Sequence, residues 1–171
     1  MAKVQHEGGN YRTHGELPSV GSRAPDFSLV NIDLKDVTLA NWLGMRKIFN
    51  IFPSIDTAVC ANSVIAFDKY SKDYDDVAEL MISYDLPFAH KRFRDKHDLQ
   101  RVVGLSAIRH MGFGENYGVQ IVEGPLAGMF SRAVVVLDEN NTVVHEEQIE
   151  DMAKEPNYAA AYQALGIQIE D

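Results

Sequence analysis

Cysteine is almost absent from this chain, because Cys60 is the only one among its 171 residues. A single cysteine excludes an intramolecular disulfide, and it excludes a metal site built only of cysteines within one chain. Cys60 is therefore either an inert buried residue, which is the commoner situation for a lone cysteine, or a reactive thiol.

Long apolar runs are also missing. No segment approaches the roughly 20 apolar residues of a membrane-spanning helix, and the first nine residues, MAKVQHEGG, lack the apolar stretch of a signal peptide. These two absences predict a cytoplasmic protein with no membrane partner.

Positive charge is scarce, with 16 Lys and Arg against 25 Asp and Glu and a formal net charge of -9 at pH 7. Such a field repels phosphate backbones, so nucleic acid is not an expected partner. The six histidines lack the spacing of a recognised metal motif, and neither a metal nor another cofactor is expected. The length and a hydrophobic content of 46% predict one folded domain over residues 1–171.

The pattern of apolar residues predicts an α/β fold that begins with a short β-hairpin at residues 4–13. Strands are expected at residues 26–31, 47–52, 77–83, 102–108, 133–137 and 142–149, and helices at 58–70, at 88–101 and from Asn157 onward. The continuous apolar run at 133–137 is the best candidate for a central strand. The strand, helix, strand unit at 47–83 predicts a right-handed crossover and a sheet that is at least partly parallel.

Cys60 lies near the start of the helix predicted at 58–70, which Asp56 or Thr57 caps. With Thr57 as the N-cap, Cys60 is the third helical residue. There, unpaired backbone N–H groups and the positive end of the helix favour a thiolate over a thiol.

A thiolate alone is not a catalyst, because its substrate must be aligned and the charge that develops on a leaving group stabilised. Thr57 offers a hydroxyl, and the backbone after Pro53 offers N–H groups. A guanidinium would complete the pocket, and Arg132, at the start of the apolar run, is the best-placed candidate. Read singly, Thr57 is a helix cap, Pro53 a strand terminator and Arg132 a salt-bridging residue.

The spacing of Pro53, Thr57 and Cys60 resembles the Pro-x-x-x-Thr-x-x-Cys active site of the peroxiredoxins. The string Pro53-Ser54-Ile55-Asp56-Thr57 is similar to that of the bacterial thiol peroxidase (Tpx) subfamily. Further matching strings occupy residues 20–27, 85–89, 113–119, 124–128, 132–138 and 155–158. The resemblance thus covers nearly the whole chain.

This resemblance implies that Cys60 is the peroxidatic nucleophile, that Thr57 and Arg132 orient the peroxide and stabilise charge, and that Pro53 shields the sulfur. It implies a thioredoxin-like fold with a central mixed sheet flanked by helices. It further implies a homodimer that reduces hydrogen peroxide and alkyl hydroperoxides through a Cys60 sulfenic acid, in antioxidant defence and redox homeostasis.

The chain departs from the subfamily at the resolving cysteine, because Lys91-Arg92-Phe93 is followed by Arg94. Turnover then requires an outside thiol, which is a thioredoxin-type protein, glutathione or another small thiol. Two alternatives stay open. One is a peroxide sensor or redox-binding protein that keeps the motif without cycling. The other, a thioredoxin-type oxidoreductase, ranks last because Cys60-Ala61-Asn62-Ser63 lacks a second cysteine.

The glycine-rich segment 111–118 superficially suggests a nucleotide-binding loop, but the required strand before it and helix after it are missing. We expect a flexible loop instead, beside the peroxide site or at the dimer contact.

Overall fold

The computed structural model describes residues 1–170, which form nine strands and four α helices besides a short 3-10 helix at Leu39–Trp42. The strands are β1 (Lys3–His6), β2 (Gly9–Arg12), β3 (Leu29–Asn31), β4 (Asp36–Val37), β5 (Arg46–Ile51), β6 (Val77–Ser83), β7 (Val102–Ser106), β8 (Ala133–Leu137) and β9 (Val143–Gln148). The helices are α1 (Ala58–Tyr70), α2 (Pro87–Lys96), α3 (Phe113–Asn116) and α4 (Tyr158–Gln163).

Seven strands form one mixed sheet in the order β4-β3-β7-β6-β5-β8-β9. The pairs β5–β6 and β6–β7 are parallel, and their connections contain α1 and α2, as parallel neighbours require. The remaining pairs are antiparallel. Strands β1 and β2 form a separate hairpin whose turn residues, Glu7 and Gly8, both have positive φ. The α/β fold with a mixed sheet and an N-terminal hairpin is therefore confirmed.

Helix α1 spans the residues that the apolar spacing predicted. Thr57 has extended backbone and is the N-cap, although its side chain makes no capping hydrogen bond. Cys60 is consequently the third helical residue. Its side chain is buried, in line with those of Val64 and Phe67 at three- and four-residue intervals.

Helix α2 is shorter than predicted, because it ends at Lys96 instead of Arg101. Asp98 has a φ of 50°, a left-handed conformation that an α helix does not contain. The apolar pattern continues past this point only because Leu99 is buried beyond the helix.

Three expectations about strands need correction. The strand predicted at 26–31 begins only at Leu29, since the Asp26 carboxylate accepts backbone N–H bonds from Phe27 and Leu39 and shapes a loop. The strand predicted at 102–108 ends at Ser106. Strand β8 is fully buried, but it lies sixth in the sheet, and β6 is at the centre. A continuous apolar run indicates burial on both faces, which any interior strand can have.

Alternate side chains of the sheet enter two cores, one on each face. On β8, Val134 and Val136 belong to the core that contains Cys60 of α1. Val135 belongs to the opposite core, which contains Phe113 of α3. The two-residue period of a strand thus separates the cysteine side of the molecule from the α3 side.

The glycine-rich segment 111–118 was predicted to be a flexible loop beside the peroxide site or a dimer contact. Part of it is the helix α3, and Phe113 and Tyr117 are buried on the sheet face opposite Cys60. Aromatic packing orders this segment, because the two rings stack with centroids 4.5 Å apart. The buried part of this segment therefore lies on the face of the sheet away from Cys60, and a place at a dimer contact stays a prediction.

Within residues 1–170, the structure contains no helix with the length and apolar character that crossing a membrane would require.

Candidate active site

Cys60 has no exposed surface, and its thiol is free. Its sulfur accepts a hydrogen bond from the side chain of Arg132, which precedes β8. Nη1 of Arg132 donates to Cys60 Sγ at 3.4 Å. The tertiary structure therefore brings together the nucleophile candidate and the guanidinium that the resemblance assigned to it.

Besides Cys60, the Arg132 guanidinium bonds one residue, Met152. Its Nε and Nη2 donate to the Met152 carbonyl oxygen at 3.3 and 3.0 Å, and its backbone N–H donates to Met152 Sδ at 3.4 Å. Only 2% of the Arg132 surface is exposed. A neutral carbonyl fixes the guanidinium without cancelling its charge, so the charge remains available to the sulfur and to an anion formed beside it.

Pro53 and Thr57 delimit the turn between β5 and α1. Pro53 is buried, and Thr57 is exposed. Both the hydroxyl and the N–H of Thr57 donate to the carbonyl of Ser54, each at 3.2 Å. The Thr57 hydroxyl thus has its proton engaged away from Cys60, and its lone pairs remain free to accept a hydrogen bond.

Thr57, Pro53 and Arg132 line one pocket of about 420 Å³. Its other lining residues are His6, Glu7, Ala58, Val59, Leu126, Asp151, Met152 and Ala153. Much of this lining is apolar. Cys60 does not line the pocket itself, but its sulfur contacts the pocket-lining Arg132. Three of the four residues expected at the site therefore line one cavity. The fourth, Cys60, is hydrogen-bonded to the guanidinium of Arg132.

Met152 and the N-terminal hairpin contribute to this pocket, although neither was among the residues predicted for the site. Met152 acts mainly through its backbone carbonyl, which leaves no trace in the residue type. The N-terminal hairpin supplies His6, at the end of β1, and Glu7, in the turn, because the Gln5 N–H donates to Glu150 O at 2.6 Å and the Met152 N–H donates to Gln5 O at 3.0 Å. Prediction of the hairpin gave no information about where it docks.

Arg94, at the position of the missing resolving cysteine, lies on the half-buried side of α2. Its Nε donates to the Leu99 carbonyl at 3.4 Å, across the end of the helix. None of the residues 1–170 form a group of three or more histidine, cysteine or acidic side chains suited to a metal ion.

Comparison with known proteins agrees with this geometry. Residues 19–162 match the redoxin family. The chain is 44% identical over 166 residues to a thiol peroxidase of Mycobacterium bovis, with 97% of this chain and 99% of the relative covered. The chain belongs to the thiol peroxidases of the redoxin family. Most members of the thiol peroxidase subfamily carry a resolving cysteine, whereas this thiol peroxidase has a single cysteine.

Solved structures extend the agreement to the fold. A peroxiredoxin-like protein from Aquifex aeolicus superposes with a TM-score of 0.90 at 30% identity, covering 97% of each chain. A thiol peroxidase from Chromobacterium violaceum superposes with a TM-score of 0.87 at 25% identity, covering 96% of this chain and 95% of that one. The thioredoxin-like fold expected of this thiol peroxidase is confirmed.

Proposed function

We propose that the protein is a thiol-dependent peroxidase that reduces hydroperoxides with Cys60 as its nucleophile. The observation that carries this proposal is the buried Arg132 guanidinium, 3.4 Å from Cys60 Sγ and bound otherwise to a neutral carbonyl. A permanent positive charge beside a sulfur in the first turn of a helix favours the thiolate. The same charge stabilises the anion that leaves when the peroxide bond breaks.

The reaction begins when the Cys60 thiolate attacks one peroxide oxygen. An S–O bond forms, the O–O bond breaks, and the departing alkoxide or hydroxide takes a proton to become an alcohol or water. The sulfur is oxidised by two electrons to a sulfenic acid, and the peroxide is reduced. Thr57 Oγ1 accepts a hydrogen bond from the peroxide O–H, Arg132 faces the leaving oxygen, and Pro53 keeps water from the sulfur.

The carbon-rich pocket supports alkyl hydroperoxides as substrates beside hydrogen peroxide. Its volume of about 420 Å³ exceeds what hydrogen peroxide needs. Side chains such as Val59 and Leu126 offer apolar contact to an organic substituent.

An outside thiol completes the cycle, because Cys60 is the only cysteine in the chain. That thiol attacks the sulfenic sulfur, water leaves, and a second thiol releases Cys60 from the mixed disulfide. A thioredoxin-type protein and a small thiol such as glutathione are both candidates. The role in antioxidant defence, the cytoplasmic location and the one-domain organisation remain predictions.

The deciding experiment is intact mass spectrometry of the reduced protein after one equivalent of an organic hydroperoxide, followed by candidate thiols in the same sample. We expect one added oxygen that thiol removes, and repeated turnover under excess thiol and peroxide. Cys60→Ser is the control and should lose peroxide reduction entirely. Fast peroxide loss with Cys60→Ser would overturn the proposal. One rapid oxidation of the wild type without cycling would favour a peroxide sensor instead.

We also propose, from the resemblance, that the protein is a homodimer. Light scattering of the purified protein should give twice the mass of one chain. The mass of a single chain over the micromolar range would contradict this.

A further inference from the structure

Asp85 lies just after β6 and binds the turn that precedes α1. Its Oδ1 accepts a hydrogen bond from Ser54 Oγ at 2.8 Å, and its Oδ2 accepts one from the Ile55 N–H at 2.7 Å. A carboxylate that receives a hydroxyl and a backbone N–H through its two oxygens fixes both the position and the orientation of the turn. Nothing in the reaction described above uses this residue.

The turn held by Asp85 is the one that presents Thr57 to the pocket. The Ser54 carbonyl accepts both hydrogen bonds of Thr57, and Thr57 is the N-cap of the helix that carries Cys60. Ser54 Oγ also accepts from the Asp56 N–H at 3.2 Å. A continuous series of hydrogen bonds therefore runs from Asp85 to the first turn of α1.

Asp85 is itself held by the buried Ser83, which in turn contacts the buried His90. Ser83 Oγ donates to Asp85 Oδ2 at 2.6 Å and accepts from the Asp85 N–H at 3.1 Å. His90 Nε2 of α2 lies 3.1 Å from the same Ser83 Oγ. The single hydroxyl proton of Ser83 is already given to Asp85, so His90 Nε2 is the donor in this contact.

His90 has little freedom to move away from Ser83. It is 1% exposed, and it packs against the backbone of Gly104, where an added methyl group would lie 2.7 Å from His90 Cβ. His90 therefore fixes Ser83, and Ser83 fixes the Asp85 carboxylate that binds the turn before α1.

We propose that Asp85 is a positioning residue for the peroxide reaction. Ser83 and His90 hold Asp85 in place, and Asp85 sets the alignment of Thr57 and the first turn of α1 with the incoming peroxide. This inference rests on the proposed function of Cys60. Loss of the carboxylate frees Ser54 and Ile55, so a bound peroxide is no longer held in line with Cys60 Sγ. Alignment matters for peroxide cleavage and much less for simple alkylation of the same thiol.

The test compares two reactions of Cys60 in the full-length protein, oxidation by an organic hydroperoxide and alkylation by iodoacetamide. For Asp85→Asn we expect the second-order rate constant for peroxide to fall about tenfold or more, and the rate of alkylation to change about twofold at most. Ser54→Ala removes one hydrogen-bond donor to the Asp85 carboxylate. It should also slow the peroxide reaction more than the alkylation, but by a smaller factor than Asp85→Asn does. Asp138→Asn is the matched control, because the Asp138 carboxylate also organises a turn, in its case by accepting two backbone N–H bonds, but at the far end of β8.

An unchanged peroxide rate in both Asp85→Asn and Ser54→Ala would overturn the inference. Equal losses in the two reactions would also overturn it, because they would indicate a general change in the thiol or in the fold. If Asp85→Asn does not fold, the selectivity of Ser54→Ala decides. A wild-type protein that does not react with peroxide would instead refute the function of Cys60, so the two failures are distinguishable.

Discussion

Helices α1 and α2 follow adjacent parallel strands, but they are held to the protein very differently. Helix α1 buries five of its side chains, whereas α2 buries two, Pro87 and His90. Cys60 thus belongs to the core, while the helix on which the resemblance places the resolving cysteine is mostly a surface element. A surface position tolerates exchange of residue type at low cost in stability. This difference explains how Arg94 can replace a sulfur on α2 while the surroundings of Cys60 stay complete.

The two helices also differ in the buried ionisable side chain associated with each of them. Glu79 of β6 is buried on the α1 side and accepts a hydrogen bond from Tyr162 Oη, a group that also contacts the Phe67 carbonyl of α1. Burial raises the pKa of Glu79 to about 8. On α2, burial lowers the pKa of His90 to about 4. Near neutral pH both groups are therefore predominantly uncharged, although one is an acid and the other a base.

The largest expected effect compares one arginine near each helix. Arg132→Ala should slow oxidation of Cys60 by peroxide about a hundredfold or more, as when a buried donor is removed from an oxyanion site. Arg94→Ala should leave that rate unchanged, because Arg94 bonds only the Leu99 carbonyl across the end of α2. Stopped-flow measurement of the second-order rate constant decides, with circular dichroism to verify folding. Equal rates for the two variants would remove Arg132 from the site.

A smaller effect concerns the oxidised product. In the wild type, peroxide should yield a sulfenic acid or a disulfide between the Cys60 residues of two chains. In Arg94→Cys, most of the oxidised protein should contain a disulfide within one chain, since a helix with two buried side chains opens locally at low cost. Non-reducing gels and intact mass measure this outcome, with Lys91→Cys as the control one turn earlier. Oxidised Arg94→Cys that remains a sulfenic acid would show that α2 is held as firmly as α1.

The smallest expected effect on activity is that of substituting the buried Glu79, which should instead change the stability clearly. When unfolded, Glu79 ionises near its ordinary pKa of 4.5, whereas in the folded protein it stays protonated to about pH 8. The unfolded state therefore binds fewer protons between these values, and the stability contributed by Glu79 decreases as pH rises from about 4.5 to about 8. Glu79→Gln should remove this loss, on the order of a few kcal/mol, with peroxide reactivity unchanged.

Urea unfolding of Glu79→Gln and of the wild type at pH 5 and pH 8 measures this effect. His90 contributes with the opposite sign, because its unfolded form gains a proton below its ordinary pKa of 6.5 and its folded form only near 4. Its contribution is therefore lost as pH falls from about 6.5 to about 4. Parallel pH dependences in the wild type and Glu79→Gln would contradict the assignment of a neutral Glu79 beneath α1.

Much of α1 and its active-site turn followed from local sequence. The apolar spacing gave the limits of the helix, and the position of Thr57 gave Cys60 its place in the first turn. The end of α2 could not be predicted in the same way, because Asp98 adopts a left-handed backbone within an apolar pattern that continues to Leu99. Residue type alone does not determine that conformation.

The contact between Arg132 and Cys60 joins residues that are 72 positions apart, and the chain's own spacing did not predict it. The resemblance to the peroxiredoxins supplied the pairing, but not what holds it. Met152 holds Arg132 through a backbone carbonyl, and Asp85 holds the turn before α1 through hydroxyl and backbone donors. Such acceptors leave no periodic or compositional signal in the sequence.

Local sequence was sufficient to show that the chain has one cysteine, that this cysteine lies in the first turn of a helix after a strand ending near Pro53, and that no second cysteine in the same chain can resolve it. These properties depend on residue identity and on neighbours within a few positions. The distant groups that surround the sulfur are apparent only in the folded protein. Packing of the sheet brought Arg132 and Met152 to Cys60 and brought Asp85 to the turn before α1, because contacts between separate elements depend on how the elements pack together.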